Sequence, residues 1–326
     1  MSEAYIRVEN LKKYFATKRG MLHAVDDVSF EIQKGETLGL VGESGCGKST
    51  LGRCLIKLLD STSGKVLLQD DKGYFDITKA SPREMKELRK RVQIVFQDPY
   101  SCLNPRLSVW ELIAEPLIVN NIYSNKNEMR KRIRSLMDTV GLAERLENSY
   151  PHELDGGRRQ RIGIARSLAL NPEFIVLDEP VSALDVCIQA QILNLLNSLQ
   201  KEYKYTYVFI SHNLSVVRHV SDRIAVMYLG QIVELSDYRD LFSQPLHPYT
   251  QALLSAIPLA KLEVKRERII LEGDVPSPIE PPNVCRFAGR CRYAKDICKT
   301  QAPALIEVMK GHFAACHFAK DFIKGE

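Results

Sequence analysis

A glycine-rich segment has the residue types and spacing of a loop that binds phosphate. Residues 42–49 read Gly-Glu-Ser-Gly-Cys-Gly-Lys-Ser and fit the pattern G-x-x-x-x-G-K-S/T. In this pattern backbone N–H groups turn inward around phosphate oxygens, and the following helix adds its positive N-terminal end. Lys48 would reach the β- and γ-phosphates of a nucleotide, and Ser49 would bind Mg²⁺. The residues expected to contact the nucleotide here are Gly42, Ser44, Gly45, Cys46, Gly47, Lys48, Ser49 and Thr50.

Two adjacent carboxylates follow a second apolar run. Residues 174–177 have the character of a buried strand, and Asp178 and Glu179 come at its end. Asp178 would hold Mg²⁺ through water, and Glu179 would act as a general base on an attacking water. The alternatives are a chance glycine-rich turn and a solvated strand end. The flanking strand and helix patterns favour the functional interpretation, which predicts that the chain binds and hydrolyses ATP.

Apolar strand-like runs alternate with helical stretches over residues 1–245. A helix is expected from residue 48 to about residue 59, and residues 100–165 look helical and polar, like an inserted subdomain. This alternation predicts an α/β sheet with helices on both faces. The short runs that suit buried parallel strands are residues 36–41, 92–96, 174–177, 207–210 and 224–227.

The overall composition limits the class of protein. The chain has 326 residues, 45% of them hydrophobic, which is enough for one large domain and a smaller one. Its apolar runs stay below the roughly 18 residues that span a bilayer, and its first residues lack the apolar core of a signal peptide. We therefore expect a cytosolic protein that is able to dock on a membrane protein. The net charge of +5 does not indicate a nucleic-acid partner.

Further short segments, in their order and spacing, resemble the nucleotide-binding subunits of ABC transporters over about residues 5–235. The resemblance implies a RecA-like P-loop ATPase core with an ABC β-subdomain and an inserted α-helical subdomain. The matching positions are Tyr14, Gln97, the signature residues Leu154, Asp155, Gly156, Gly157 and Arg158, the D-loop Ser182-Ala183-Leu184-Asp185, and His212.

The resemblance also assigns roles to single residues. Tyr14 would stack on adenine, although it could be an ordinary packing aromatic. Gln97 would bind Mg²⁺, sense the attacking water and couple to a membrane subunit. His212 would contact the γ-phosphate as the switch histidine, whereas a lone histidine is more often structural. Glu179, His212 and Gln97 would then be the catalytic set, and the signature would face the ATP bound by a partner subunit.

A narrower resemblance is to the ATPases of oligopeptide and dipeptide uptake, a group that includes nickel importers. Residues 97–105, 180–186 and 247–254 carry it, and the chain looks more like the F-type partner of the ATPase pair. It implies an ABC nucleotide-binding domain over residues 1–245 and a small Cys-rich extension over residues 246–326. Within this extension, the Pro-rich residues 274–283 are expected to form an extended linker.

The same resemblance implies partners and a location. The chain would form a heterodimer with a second ABC ATPase subunit, bind two membrane permease subunits at the cytoplasmic face of the membrane, and serve an extracellular substrate-binding protein indirectly. A nickel or small-solute importer is the alternative. A soluble ABC ATPase acting on nucleic acid or the ribosome is disfavoured, because the chain has one phosphate loop and no sustained heptads. A non-hydrolysing regulator is disfavoured by Glu179 and His212.

The signature departs from the family pattern L-S-G-G-Q at two positions. Asp155 stands in place of a serine whose hydroxyl donates to the partner's γ-phosphate, and Arg158 in place of glutamine. Ionised Asp155 cannot donate, and like charges about 4 Å apart repel by roughly 4 kcal/mol at an effective dielectric near 20. Arg158 and Arg159 could offset part of this, and the site at the partner's phosphate loop would be weakened. Alternatively, Asp caps a helix as well as Ser, and the change is nearly silent.

Four of the eight cysteines cluster near the end of the chain. The spacing C-x5-C-x6-C-x17-C is neither the C-x2-C of common zinc sites nor a bacterial ferredoxin run. In a reducing cytosol such a cluster indicates metal more than disulfides, and thiolates suit both zinc and iron–sulfur clusters. The resemblance favours a 4Fe–4S cluster, with zinc or free thiols as alternatives. The expected ligands are Cys285, Cys291, Cys298 and Cys316, with His312 and His317 as substitutes or supporting donors.

Overall fold

This computed structural model describes residues 4–71, 73–257 and 268–323. These described residues form two units, one from the ranges 4–79 and 209–323 and the other from Ala80–Val208. In sequence, the second unit is inserted between the two parts of the first. The helical stretch expected at residues 100–165 falls within the second unit, while the proposed division at residues 245 and 246 stays a prediction.

A strand lies at each of the five expected apolar runs, although β3 begins one residue later and β6 ends one residue earlier than expected. In chain order they are β1 (Ile6–Thr17), β2 (Gly20–Ile32), β3 (Thr37–Val41), β4 (Ser63–Asp70), β5 (Gly73–Asp76), β6 (Val92–Val95), β7 (Phe174–Asp178), β8 (Thr206–Ser211), β9 (Arg223–Tyr228), β10 (Gln231–Asp237), β11 (Ile306–Met309) and β12 (His312–Ala314).

The helices alternate with these strands. In chain order they are α1 (Lys48–Leu55), α2 (Pro82–Arg91), α3 (Pro99–Cys102), α4 (Val109–Val119), α5 (Lys126–Thr139), α6 (Gly156–Leu168), α7 (Val186–Tyr203), α8 (Leu214–Val220), α9 (Tyr238–Ser243), α10 (Pro248–Ser255) and α11 (Asp296–Thr300). In the part of the chain that the structure describes, no helix combines the length and the apolar character needed to span a membrane.

The first unit contains two sheets. One is antiparallel, with the strand order β2-β1-β4-β5, and places Ile6 opposite both Ile32 and Leu68. The other runs β11-β12-β10-β9-β3 within this unit, and its β3 and β9 are parallel with Leu40 opposite Ala225. All five residues of β3 are buried, as expected of a parallel strand covered on both faces. The fully buried β3 leads directly into the glycine-rich loop.

The second unit pairs β6 with β7 in parallel and surrounds them with helices α2 to α7. Val92 lies opposite Phe174 and Val95 opposite Leu177, so Gln97 follows one strand end and Glu179 follows the other. Helix α4 begins at a capping box, in which the Ser108 and Glu111 side chains each satisfy a backbone N–H of the first turn. These caps fix where the helices begin.

The Pro-rich segment is extended, as expected, but β2 holds its backbone. The His23 N–H donates to the Pro278 carbonyl at 3.0 Å, and the Glu280 N–H donates to the Met21 carbonyl at 2.9 Å. Leu22 and Ile279 form an antiparallel bridge. Prolines lack a donor and are tolerated at a sheet edge. The segment is therefore an added edge of the first unit as well as a connection.

Glu234 in β10 holds the start of the C-terminal region. Its side chain is fully buried and accepts hydrogen bonds from the backbone N–H groups of Leu246 at 2.6 Å and His247 at 3.0 Å. Nε2 of the buried His312 lies 2.7 Å from the same carboxylate. His317 Nε2 lies 3.1 Å from the Gln301 carbonyl. Both histidines that were considered as metal donors thus have contacts in the protein itself.

Replacing Glu234 with alanine should destabilise the fold strongly. The substitution leaves buried donors without an acceptor, and breaking one side of such a network costs about 3–5 kcal/mol. We expect a large drop in the thermal unfolding midpoint, measured by circular dichroism. Glu87→Ala is the matched control, because Glu87 pairs with Lys90 at the surface and its removal should change little. Equal midpoints for the two variants would contradict this role of Glu234.

Candidate functional site

The glycine-rich loop connects β3 to α1 and places Lys48 at the first position of the helix. Lys48 is 4% exposed. Its Nζ donates to the Gly42 carbonyl at 2.8 Å and to the Glu43 carbonyl at 2.9 Å. The ammonium group therefore lies inside the curve of the loop, where a phosphate would exchange with these carbonyls. This arrangement fits the predicted phosphate-binding role.

Two glycines of the loop are required by space as well as by backbone conformation. Gly42 has φ 153°, and a Cβ built there would lie 2.1 Å from the Met227 carbonyl oxygen. Gly47 has φ 105°, and its Cβ would lie 1.9 Å from the Ala24 carbonyl oxygen. Any larger residue at either position would push the loop away from its neighbours. The curve of the loop is thus fixed by close contact between main chains.

Tyr14 lies in a stacked pair of rings. Its ring centroid is 3.9 Å from that of His23, and the two rings are 18° from parallel. The Tyr14 hydroxyl donates to Asp26, and His23 Nδ1 lies 3.0 Å from the same carboxylate. Burial acts to raise the pKa of Asp26, but hydrogen bonds from His23, Tyr14 and Arg286 keep that pKa below its ordinary value. The carboxylate therefore stays ionised and fixes both rings.

This ring pair modifies the prediction for Tyr14. One face of the phenol ring is covered by His23, so an adenine would meet the pair rather than an isolated tyrosine. His23 and Asp26 were missed, since nothing in their residue types or spacing marks them before the fold brings them beside Tyr14. Adenine stacking itself stays a prediction.

In the second unit, Gln97 and Glu179 come together at the ends of β6 and β7. Gln97 Nε2 donates to Glu179 Oε2 at 3.2 Å. Glu179 adopts the left-handed conformation with φ 47°, which is unusual for a residue with a side chain and is often found at functional sites. Asp178, the last residue of β7, is 2% exposed. The structure thus pairs two members of the predicted catalytic set.

His212, the third member, directly follows β8 and is exposed. Asn213 comes next and caps α8, because its side-chain oxygen accepts from the Ser215 N–H at 2.9 Å. Asn is as good an N-cap as Asp. Asn213 therefore caps the helix without adding a charge.

Asp155 caps helix α6. Its Oδ1 accepts from the Arg158 N–H at 2.8 Å, and its Oδ2 lies 3.4 Å from Arg158 Nε. Arg158 thus offsets the carboxylate charge. Arg159 does not share this role, because its Nε donates to the Pro151 carbonyl at 2.5 Å and its guanidinium lies over the Tyr100 ring. Of the two arginines expected to compensate, only Arg158 contacts Asp155 in the described structure.

The signature glycines pack against the D-loop region of the same unit. A Cβ at Gly157 would lie 2.5 Å from Ile188, and one at Gly156 would lie 3.1 Å from Leu184. Asp185 caps α7 by accepting from the Ile188 N–H at 3.0 Å. The buried Leu154 precedes the helix. The signature and the D-loop, which are separate segments of the sequence, therefore form one packed surface.

The four C-terminal cysteines share an environment. The Cys285 N–H donates to the Cys298 carbonyl at 3.1 Å. Burial raises the pKa of the Cys316 thiol to about 11, and the thiols of Cys285, Cys291 and Cys298 add to that rise. Across residues 4–71, 73–257 and 268–323, no group of three or more His, Cys, Asp or Glu side chains has the geometry to hold a metal ion. The thiols are neighbours but do not form a compact single-ion site.

Comparisons with known proteins agree with this geometry. The ABC transporter family model matches residues 25–182, and the model for the oligopeptide/dipeptide transporter C-terminal region matches residues 233–298. The chain is 51% identical to the oligopeptide transport ATP-binding protein AppF of Bacillus subtilis, over 97% of each chain. It is 49% identical to the putative oligopeptide transport ATP-binding protein YkfD of the same organism, over 97% of this chain and 96% of YkfD.

A solved structure shows the same architecture. The dimeric post-hydrolysis state of the ATP-binding cassette MJ0796, bound to ADP and Pi, covers 72% of this chain and 99% of its own, with 31% identity and a TM-score of 0.64. Fold and loop together define an ABC-type ATPase. The chain belongs to the oligopeptide transport ATP-binding branch of the ABC transporter family. The predicted family, α/β fold and enzyme class are confirmed, and the roles of single site residues stay predictions.

Asp155→Ser tests whether the unusual signature weakens ATP turnover. Serine also caps a helix, so the unfolding midpoint should stay nearly constant. Turnover of the assembled ATPase pair should rise severalfold, because a negative charge is removed where the resemblance places the partner's γ-phosphate. Steady-state phosphate release measures this.

Asp155→Asn is the control for charge, because asparagine keeps both the cap and the shape of the side chain. A rise in turnover with both variants assigns the effect to the carboxylate. Unchanged turnover with both would show that Asp155 serves only as a cap.

Proposed function

We propose that this chain is the ATP-hydrolysing subunit that powers uptake of di- and oligopeptides through an ABC transporter. The carrying observation is the phosphate loop, whose Lys48 lies inside a curve fixed by Gly42 and Gly47. It occurs in a chain that is similar to a named oligopeptide transport ATP-binding protein from end to end. ATP binding and hydrolysis would supply the energy, and other chains would form the path across the membrane.

The residues take distinct roles in this proposal. Lys48 binds the β- and γ-phosphates, and Ser49 and Gln97 bind Mg²⁺, with Asp178 acting through water. Glu179 accepts a proton from the attacking water, and the Gln97 amide holds its carboxylate in place. His212 contacts the γ-phosphate. When bound by these residues, Mg²⁺ would supply positive charge that offsets the negative charge of the phosphates.

An apolar groove in the second unit supports a membrane partner. It has a volume of about 440 Å³, and Phe96, Pro99, Leu103 and Val119 are among its lining residues. Val119 is 65% exposed. Exposed apolar patches of this kind mark surfaces where proteins interact. We assign the groove to a permease subunit, since it begins beside Gln97, and we place the chain at the cytoplasmic face of the membrane with a second ATPase subunit as its dimer partner.

Glu179→Gln should separate ATP binding from hydrolysis. The amide keeps the shape of the side chain but cannot accept a proton, so hydrolysis should fall about 10²–10⁴-fold while ATP still binds. Phosphate release and equilibrium binding measure the two steps. Glu173→Gln is the matched control, because Glu173 pairs with Arg91 at the start of β6 and β7 and its loss should leave hydrolysis intact.

The cargo is tested in vesicles that contain the complete transporter. ATP-dependent accumulation of a labelled peptide is expected with the wild-type chain and not with Glu179→Gln. Accumulation of nickel without peptide would instead identify the chain as part of a nickel importer. A Glu179→Gln protein that hydrolyses ATP at the wild-type rate would contradict the general-base role.

We further propose that Cys285, Cys291, Cys298 and Cys316 hold a 4Fe–4S cluster. The donor set fits, because four thiols lie in one electrostatic environment and soft thiolates are the usual cluster ligands. Zinc, which thiolates also bind, is the alternative that the metal content distinguishes. The cluster would crosslink a segment that has little apolar core.

The metal content tests this assignment. Protein purified without oxygen should contain about four iron and four sulfide per chain and absorb visible light. Cys298→Ser should lower the iron content, whereas Cys187→Ser, which changes an exposed cysteine outside the cluster, should not. A colourless protein with one zinc per chain would rule out iron.

A further inference from the structure

The segment that contains the four clustered cysteines, residues 285–316, is called the cysteine-rich segment here. One of its arginines contacts the phosphate loop. Arg290 precedes Cys291, and its Nη1 and Nη2 donate to Glu43 Oε2 at 2.9 Å and Oε1 at 3.2 Å. The Arg290 side chain is 9% exposed and that of Glu43 29%. Two parallel hydrogen bonds between a guanidinium and a carboxylate fix direction as well as distance. Glu43 is the second residue of the loop, so the cysteine-rich segment binds the loop directly through this ion pair.

A second contact holds the same residue from its backbone side. The Glu43 N–H donates to the Tyr249 hydroxyl at 2.8 Å, and Tyr249 is fully buried in α10. Phe287 packs against the rings of Tyr249 and Tyr228, with centroids 5.5 Å and 5.3 Å apart. Backbone and side chain of Glu43 are therefore both bound by residues that follow position 245. These contacts with Tyr249 and Arg290 hold the loop in addition to the close packing at its glycines.

A second arginine of the segment reaches the ring pair. Arg286 follows Cys285, and its guanidinium donates to the Asp26 carboxylate and to the Leu229 carbonyl. Its side chain is 8% exposed. Asp26 is the residue that binds the Tyr14 hydroxyl and His23. Through Asp26, Arg286 therefore sets the position of the surface proposed for adenine.

Charge gives these arginines a further effect. A nucleotide triphosphate is a polyanion, and an unpaired carboxylate at Glu43 would repel it. Arg290 neutralises that carboxylate at short range. Arg286 does the same for Asp26, which is 8% exposed. Without Arg290, the phosphate loop would carry an uncompensated negative charge, whereas loss of Arg286 would free the Asp26 side chain that positions the ring pair.

We propose that Arg286 and Arg290 of the cysteine-rich segment are positioning residues for nucleotide binding. Arg290 holds the phosphate loop through Glu43, and Arg286 holds the Tyr14–His23 ring pair through Asp26. The proposal rests on the proposed function, because it assumes that ATP binds at this loop. It assigns the C-terminal extension a direct part in the affinity of the chain for ATP.

Nucleotide binding by the full chain tests the proposal. With Mg²⁺ and a fluorescent ATP analogue, Arg290→Gln should weaken binding about tenfold, which corresponds to about 1.4 kcal/mol. The KM for ATP should rise by a similar factor while kcat changes little, because the residue acts on binding. Arg290→Lys keeps the charge but cannot form two parallel hydrogen bonds. Its affinity for ATP should lie between those of the wild type and Arg290→Gln.

The two arginines should differ in which part of the nucleotide they affect. Arg290→Gln should weaken the binding of ATP and of inorganic triphosphate by the same factor, since its effect is on the phosphate loop. Arg286→Gln should weaken the binding of ATP and leave the binding of inorganic triphosphate unchanged, since its effect is on the ring pair. If Arg286→Gln weakens both ligands equally, or neither, its assigned role is wrong.

A double-mutant cycle and a control complete the test. Glu43→Gln combined with Arg290→Gln should bind ATP no more weakly than the worse single variant, because both remove the same interaction. Arg292→Gln is the matched control from the same segment. Arg292 lies over the Tyr293 ring and is exposed, so ATP binding should be unchanged.

Two outcomes separate this inference from the proposed function. Wild-type protein that fails to bind ATP would overturn the proposed function. Wild-type protein that binds ATP, with folded Arg290→Gln binding equally well, would overturn the inference alone. Binding is compared per folded molecule, with the thermal unfolding midpoint measured for each variant. If the midpoint falls and the affinity of the folded fraction is unchanged, Arg290 is only structural and the proposal fails.

Discussion

The close approach of main chains around the phosphate loop is the constraint on which the rest of the structure depends. The loop fits only because Gly42 and Gly47 have no Cβ to meet the carbonyls of Met227 and Ala24. These carbonyls come from β9 and β2 in two different sheets of the first unit. Both sheets must therefore be in place before Lys48 is held inside the loop. Strand pairing thus becomes a condition for binding phosphate.

Contacts from the C-terminal region are a second condition for the position of the phosphate loop. Glu234 binds the backbone at Leu246 and His247, and α10, which begins there, brings Tyr249 to the loop at Glu43. The segment that carries Arg286 and Arg290 contacts Asp26 and the loop residue Glu43. A cluster held by the cysteines, as proposed above, would act on ATP through these two guanidinium groups.

Sequence patterns located the parts of this site whose chemistry depends on neighbours along the chain. The loop at residues 42–49, the carboxylates at Asp178 and Glu179 and the cap at Asp155 were found this way, because strand, turn and cap signals are local. The Asp26 network was not, since it joins residues 260 positions apart. In the sequence, Arg286 stands beside Cys285, and nothing in that position indicates a contact with Asp26. Long-range partners of this kind require the fold.

The phosphate loop and the signature differ in how they are supported. The phosphate loop is held by glycine contacts, by Tyr249 and by Arg290. The signature is held by the Asp155 cap and by packing of its glycines against Leu184 and Ile188. The charge of Asp155 is offset by an exposed ion pair with Arg158, and exposed pairs are weak and screened by salt. If each signature serves the partner's nucleotide, a well-supported loop and a weakly compensated signature belong to different ATP sites. The asymmetry of the ATPase pair would then arise within this one chain.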